Sequence, residues 1–403
     1  MKILLLNQFF WPDTAATSQL LTDLARGLQE RGHEVYAICA DGGYAIKDVS
    51  DPPPVKIHRV KAIPFMRGSL GRVLSYASFF LTAAVRGLTL PKPDLVITLT
   101  TPPLLSLIGN VIKIFRGSRH FIWEMDVYPD VAVDLSYFKA DGVLDRVTGL
   151  LADFSRHKAD GILALGSCMR ERLLNRGIDG SKIHVAENWA DGSLIQPLPR
   201  PADSNALTVL YSGNLGLAHD IDTIFGAMKS LKHDSRFRFV FAGSGPLRKE
   251  LERACGEEQI ETAEFRSYSQ RASLSQSLAS GDIGLVTQRE SCLGSVVPSK
   301  VYGLLAAGRP ILYVGPAAST VAEMIRSRRC GWQVECNASA DLTALLLQLA
   351  DQPSQVEAAG QRSRQAFVDH YDLPLGVARI CALVGASPQP ETSLTPEVLC
   401  THS

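Results

Sequence analysis

"SVVPSKVYGLLAAGRPI", residues 295–311, sets a Pro-Ser-Lys turn ahead of a short helical run and stops that run at Gly308, Arg309 and Pro310. On a 3.6-residue period Val301, Leu304 and Leu305 share a face suited to packing on a sheet, while Lys300, Gly303 and Ala307 share another. Ser299 stands where a helix is capped, and Lys300 brings a cation to a helix start whose dipole favours anions. That lysine is unfavourable unless an anion joins it. The strand-like run "RPILYVG" (309–315) follows directly. Helix, tight stop and buried strand make one unit of α/β architecture.

The same unit recurs in both directions. "KILLLN" (2–7), "EVYAICA" (34–40), "DLVITLT" (94–100), "HFIWEMD" (120–126), "GILALG" (161–166) and "KIHVAEN" (182–188) read as strands apolar on both faces, as in parallel sheets. Amphipathic stretches such as "SQLLTDLARGLQERG" (18–32) separate several of them, with Thr17 or Ser18 as cap and Gly32 as stop. The alternation breaks at "QPLPRPADSNA" (196–206), a linker, and resumes with "LTVLYSG" (207–213), "FRFVFAGSG" (237–245), "AEFRSY" (263–268), "GDIGLVT" (281–287) and "GWQVE" (331–335). The reading is α/β: two facing, doubly wound Rossmann-like domains, 1–195 and 207–372, then a helix over 373–385 and a disordered tail over 386–403. A cleft between the carboxyl ends of the two sheets is where ligands are expected.

Whole-chain properties narrow the function. With 403 residues, two cores are expected. Lys plus Arg equals Asp plus Glu at 41 each, so no global field attracts nucleic acid. Eight cysteines form no CxxC pair, which suits a reduced, cytoplasmic compartment. The loop after the first strand, "QFFWPDTAATSQ", carries no G-x-G-x-x-G and argues against a dinucleotide oxidoreductase. "SGNLGLAHD" (212–220) and "GSGPLRKE" (243–250) instead offer glycine turns entering helices, where backbone N–H groups hold anions. With Ser299 and Lys300 they form a converging set suited to a diphosphate.

These stretches, with "QERGHEV" (29–35), "KPDLVITLTTPP" (92–103), "WEMDVYPD" (123–130), "AENWAD" (186–191), "YSGNLGLAHDIDTI" (211–224) and "FAGSGPLRKEL" (241–251), resemble the family 4 glycosyltransferases of the GT-B fold. Within them the chain looks like the bacterial surface-polysaccharide subgroup of O-antigen fucosaminyltransferases and colanic acid transferases. The resemblance covers about the first 385 residues. It implies retaining transfer of a sugar from a nucleotide-diphosphate donor, with no cofactor and no metal. An N-acetylated amino sugar carried on UDP and a polyprenyl-diphosphate-linked or saccharide acceptor are the expected substrates.

By position the resemblance assigns Gly213, Asn214, Gly243, Ser299 and Lys300 to the donor, and the backbone around Arg266 and Tyr268 to its base. His219 replaces a lysine found in many members and is expected to act as a weaker cation. Gly303 and Ser295 stand where the family's E-x7-E pair would fall, and Glu290 is the acid near enough to restore one grip. On the acceptor side stand Thr14, Ala15 and Ala16, the two alanines replacing a Gly-Gly turn, and Asp126 is the catalytic candidate, with Glu124 or Asp126 structural. His120 lies too early on its strand for catalysis, and "DID" (220–222) reads as a helix cap rather than a metal motif.

From 55 to 119 ten Lys or Arg face one acid, Asp94, around the apolar "VLSYASFFLTAAV". That segment is shorter than the ~20 residues a spanning helix needs. The tract is expected to draw the chain to anionic lipid at the inner face of the cytoplasmic membrane. A GT-B UDP-sugar epimerase and a non-catalytic nucleotide-binding scaffold are the competing readings.

Overall fold

The computed structural model describes residues 1–41, 51–63, 69–199, 206–267 and 273–387. The first sheet holds β1 (Lys2–Leu6), β2 (Glu34–Ala40), β3 (Lys56–Val60), β4 (Leu95–Thr98), β5 (Arg119–Glu124), β6 (Gly161–Ala164) and β7 (Ile183–Val185). Its order is β3-β2-β1-β4-β5-β6-β7, parallel throughout. The second holds β8 (Leu207–Asn214), β9 (Phe237–Ser244), β10 (Ala263–Arg266), β11 (Ile283–Thr287), β12 (Ile311–Val314) and β13 (Gly331–Val334) in the order β10-β9-β8-β11-β12-β13. Both sheets therefore reverse direction beside their first strand, between β1 and β4 and between β8 and β11. These switch points open the crevices that bind ligands in such sheets.

β3 escapes the sequence reading. "KIHRV" is an edge strand whose only fully buried residue is Val60, so it lacks the apolar run that marks its neighbours. The helix Ala16–Glu30 begins earlier than read: Ala15, not Thr17 or Ser18, holds the N-cap position, and no side chain caps it. The alanine cannot supply the oxygen that a serine cap does, so the first-turn amides are left to other acceptors.

Each sheet is packed on both faces. Ile3 and Leu5 of β1 join Leu21, Leu24 and Leu28 on one face, while Leu4 and Leu6 join Phe79, Ala83 and Ile112 on the other. The C-terminal helix Leu373–Leu383 returns to the first domain, where Val377, Ile380 and Cys381 enter the β1-side core. It lies so close to the helix Ala16–Glu30 that a Cβ at Gly27 would sit 2.4 Å from Val377. The domains also meet directly. Val127 N–H donates to the Ser295 carbonyl at 2.8 Å, Arg172 Nη1 to the Leu293 carbonyl at 2.8 Å, and Ser167 Oγ to Glu323 Oε2 at 2.6 Å. The carboxyl ends of the two sheets thus face one another across a fixed seam.

Candidate active site

The second-domain wall is built around Gly213 at the end of β8. Its φ of +137° is open to glycine, and an added Cβ would meet Lys300 Cε at 2.3 Å. Lys300, first residue of the helix Lys300–Ala306, therefore lies across the Gly213 backbone, with Nζ 5.2 Å from the Tyr211 ring centroid. Nζ also approaches His219 Nε2 at 3.5 Å. Burial pulls the Lys300 ammonium down from 10.5 to about 8. Lys300 stays mostly charged at neutral pH but lacks an anionic partner among the described residues.

His219 corrects one expectation. Its Nδ1 donates to the Thr287 carbonyl at 2.7 Å, which leaves Nε2 as an acceptor facing Lys300. Burial first and Lys300 second hold its pKa at about 3, so it is neutral at physiological pH. A positive charge beside Lys300 would be repelled and desolvated. His219 positions the lysine instead of supplementing it.

The missing second cation is Arg289, which the sequence reading passed over. Its N–H donates to the Ala218 carbonyl and its Nε to the His219 carbonyl at 3.1 Å. The two terminal guanidinium nitrogens have no partner among the described residues. A signal existed: Arg289 follows β11, whose carboxyl end borders the switch point. Glu290 next to it begins a short 3-10 turn and is exposed, near the loop but not gripping it. Gln288 holds the whole excursion, donating to the Cys292 and Val296 carbonyls at 2.8 and 3.0 Å while accepting from Tyr313 Oη at 2.8 Å.

The other donor candidates fall on the same edge. Gly243 pairs with Gly213 across β8 and β9, and a Cβ there would strike the Gly213 carbonyl at 2.1 Å, so the two turns touch backbone to backbone. Asn214 ends β8 and is exposed. Arg266 ends β10, its side chain tied to Glu264 and, at 3.4 Å, to Ser280, which leaves its backbone on the edge. Tyr268 lies outside the described residues. Ser299 holds the N-cap position without a side-chain capping bond, contrary to the capping role read from sequence. Asp220 Oδ1, in contrast, accepts from Thr223 N–H at 3.0 Å and caps as expected.

Gly303 and Ser295 diverge. Gly303 has room, with a Cβ meeting only Ile195 at 3.6 Å. Ser295 is fully buried; its Oγ donates to the Cys292 carbonyl and its own carbonyl serves the domain seam. An acidic side chain at 295 would be buried in that seam instead of reaching the cleft.

Across the seam stands Asp126, which forms an isolated antiparallel bridge with Val296 and whose N–H donates to Thr100 Oγ1 at 3.3 Å. Its carboxylate has no hydrogen-bond partner among the described residues. Burial, then the nearby Glu124 charge, raises its pKa to about 6. Glu124 is the structural acid of the pair, buried against Arg156 at 2.6 Å. His120 is a core residue held between Asn110 Oδ1 and Thr98 Oγ1, each at 2.9 Å, and burial keeps it neutral near a pKa of about 3. Thr14, Ala15 and Ala16 lie at the carboxyl end of β1, with Ala15 N–H on Asp13 Oδ1 at 2.8 Å and the Thr14 carbonyl accepting from Gln19. A separate hollow of about 610 Å³ lies on the second domain, between Ile325–Trp332 and Ser354–Arg362, and shares no residue with this edge.

Comparison with known proteins meets this geometry from outside. A glycosyl transferase 4-like domain matches residues 17–189 and a glycosyl transferases group 1 domain matches 206–352. The chain is 24% identical to the glycosyltransferase WbjE of Pseudomonas aeruginosa, over 73% of this chain and 74% of that protein. It is 24% identical to the colanic acid biosynthesis glycosyl transferase WcaI of Escherichia coli K12, over 76% and 82%. In fold it is similar to HepE of Anabaena in complex with UDP-glucose, at a TM-score of 0.71 and 13% identity, over 96% of this chain and all of that one. With glycosyltransferase domains matched in order over both halves of a two-sheet fold, the chain belongs to the family 4 glycosyltransferases of the GT-B fold and is an enzyme of bacterial polysaccharide biosynthesis.

Proposed function

We propose that the enzyme transfers an N-acetylated amino sugar from UDP, with retention of anomeric configuration, to a lipid-linked or saccharide acceptor at the inner face of the cytoplasmic membrane. The observation that carries this reading is Lys300, held charged over Gly213 by a neutral His219, with Arg289 on the His219 carbonyl and no anion among the described residues to pair with either. A diphosphate supplies the missing charge. HepE, similar in fold, binds UDP and UDP-glucose, which favours a uridine nucleotide here.

In this reaction the bond from the sugar anomeric carbon to the diphosphate oxygen breaks, and the electron pair leaves with UDP. Lys300, Arg289 and the N–H groups of the 213–219 loop stabilise that charge as it develops. The acceptor oxygen bonds to the anomeric carbon on the face the diphosphate leaves, and its proton passes to the departing diphosphate. No strong protein base and no metal are needed for that transfer. Asp126 orients the acceptor hydroxyl from the first-domain wall, and the uncapped helix start at Ala16 receives acceptor oxygens.

Thermal-shift titration with UDP, GDP, ADP and dTDP tests the donor assignment. UDP should raise the unfolding temperature most, because at equal concentration stabilisation grows with the logarithm of affinity. A larger shift with another nucleotide would reassign the base, and no shift with any would remove the nucleotide site.

A further inference from the structure

The helix Val143–Lys158 is built inside out. Its inward residues are Gly149, Ala152, Ser155 and Arg156, while Val143, Val147, Leu150 and Phe154 form an outward stripe, Val143 at 78% and Leu150 at 73% exposure. Its neighbours repeat the pattern. The helix Ser106–Arg116 packs against it through Asn110 Nδ2 on Ser155 Oγ at 2.9 Å and turns Ile114 and Phe115 outward. The helix Ser69–Thr89 packs beside that one and turns Leu74, Leu81 and Val85 outward, while its Phe79 and Ala83 fill the core. Three adjacent helices on one side of the first sheet thus present an apolar layer, larger than isolated exposed side chains explain.

The charges around this layer decide what covers it. Both acids on the Val143–Lys158 helix are engaged, Asp145 by the Asp141 N–H and Asp153 by Arg156 and Arg176. Arg146 and Lys158 are exposed at the rim, and Arg146 has no ion pair among the described residues. A second copy presenting the same face would set these cations against their like, whereas an anionic lipid surface complements them.

Several cations of the basic tract read from sequence are already engaged within the fold. Lys56 pairs with Glu34 at 2.6 Å, Lys113 with Asp160 at 2.7 Å, Arg86 contacts His58 at 2.8 Å, and Arg116 donates to the Leu88 and Leu90 carbonyls. No described helix is long and apolar enough to cross a membrane.

We infer that the outward faces of these three helices insert into the headgroup region of a lipid bilayer, with apolar contact as the main attraction and the rim cations as an aid. This surface stands apart from the transfer chemistry, although its purpose rests on the proposed lipid-linked acceptor.

Flotation of the full chain with phosphatidylcholine vesicles, with and without phosphatidylglycerol and at low and high salt, tests the inference. Binding should persist at high salt. The double variant Leu150→Glu with Phe154→Glu, and separately Phe115→Glu, should weaken it roughly tenfold or more while the UDP thermal shift is retained. Absence of flotation, flotation abolished by salt and indifferent to the variants, or a vesicle-free dimer broken by them would each overturn it. A variant that fails to fold would reveal itself by losing the UDP shift, and Phe115→Glu, on another helix, then carries the test. Wild-type protein that hydrolyses UDP-sugar in solution but ignores vesicles would lose this inference and keep the enzyme.

Discussion

Replacing Lys300 with methionine should separate binding from stability. Burial lowers the lysine's pKa from 10.5 to about 8. Keeping the ammonium charged at pH 7 therefore costs the folded state up to about 3 kcal/mol, an upper value because the group is only part-buried and retains water. The folded pKa lies below the unfolded one, so the folded state binds fewer protons. The cost is fully present below pH 8 and fades as pH rises through 8 towards 10.5. Methionine keeps much of the length, rests on the Tyr211 ring and removes the charge. Lys300→Met should raise stability at pH 7 by about 1–3 kcal/mol, or about 2–4 °C per kcal/mol for a domain of this size, with the gain shrinking near pH 10. UDP binding should move the other way. Losing a charged hydrogen bond worth about 1.5–3 kcal/mol raises Kd roughly 10- to 100-fold. Thermal unfolding at pH 7 and pH 10, with calorimetric titration of UDP, reads both effects. A variant that is less stable at pH 7 and binds UDP as well as the wild type would make Lys300 a structural residue.

Asp126→Asn should abolish most transfer while leaving UDP affinity within about twofold, since no donor contact is assigned to it. Its folded pKa of about 6 lies above the ordinary 3.8, so the ionised form costs stability that appears as pH rises from 4 to 6. The variant should gain about 1–3 kcal/mol at pH 7 and little at pH 4, and an equal gain at both would deny Asp126 its raised pKa. Gly303→Ala should stabilise by about 0.5–1 kcal/mol, because the helix gains a better former and the Cβ meets only Ile195 at 3.6 Å; a loss in denaturant midpoint would show the space to be filled. Arg156→Ala should cost about 3–5 kcal/mol by leaving Glu124 charged and buried, and a chemical-denaturation loss under 1 kcal/mol would show Glu124 to be solvated or protonated.

Where structure repeats a local pattern, the sequence is transparent. Most strands of the second sheet follow from apolar runs, several ending at glycine turns, and Gly213, Gly243 and Lys300 converge because each ends or follows such a strand. β3 was hidden because an edge strand needs only one apolar face. The charge state of His219 is not legible in the sequence, because it is set by burial and by Lys300, which is distant in sequence. Arg289 was passed over for a similar reason: only the fold turns its Nε to the His219 carbonyl and so brings its guanidinium to the glycine turn. Ser295 and Gly303 looked like one lost acidic pair, yet the fold puts one in the domain seam and the other on an open helix face. The outward apolar stripe at 143–154 has helical periodicity in the sequence, but its direction depends on Ser155 and Arg156 being the side that packs.

On the proposed reading, the charged Lys300 edge receives a nucleotide sugar and assists cleavage of its anomeric bond. ³¹P NMR of the protein with UDP-N-acetylhexosamine, with and without acceptor lipid, follows that bond directly. UDP should be released slowly without acceptor and faster with it, and Lys300→Met should lose both. Saturating binding of the nucleotide sugar with no UDP released under either condition would contradict that reading.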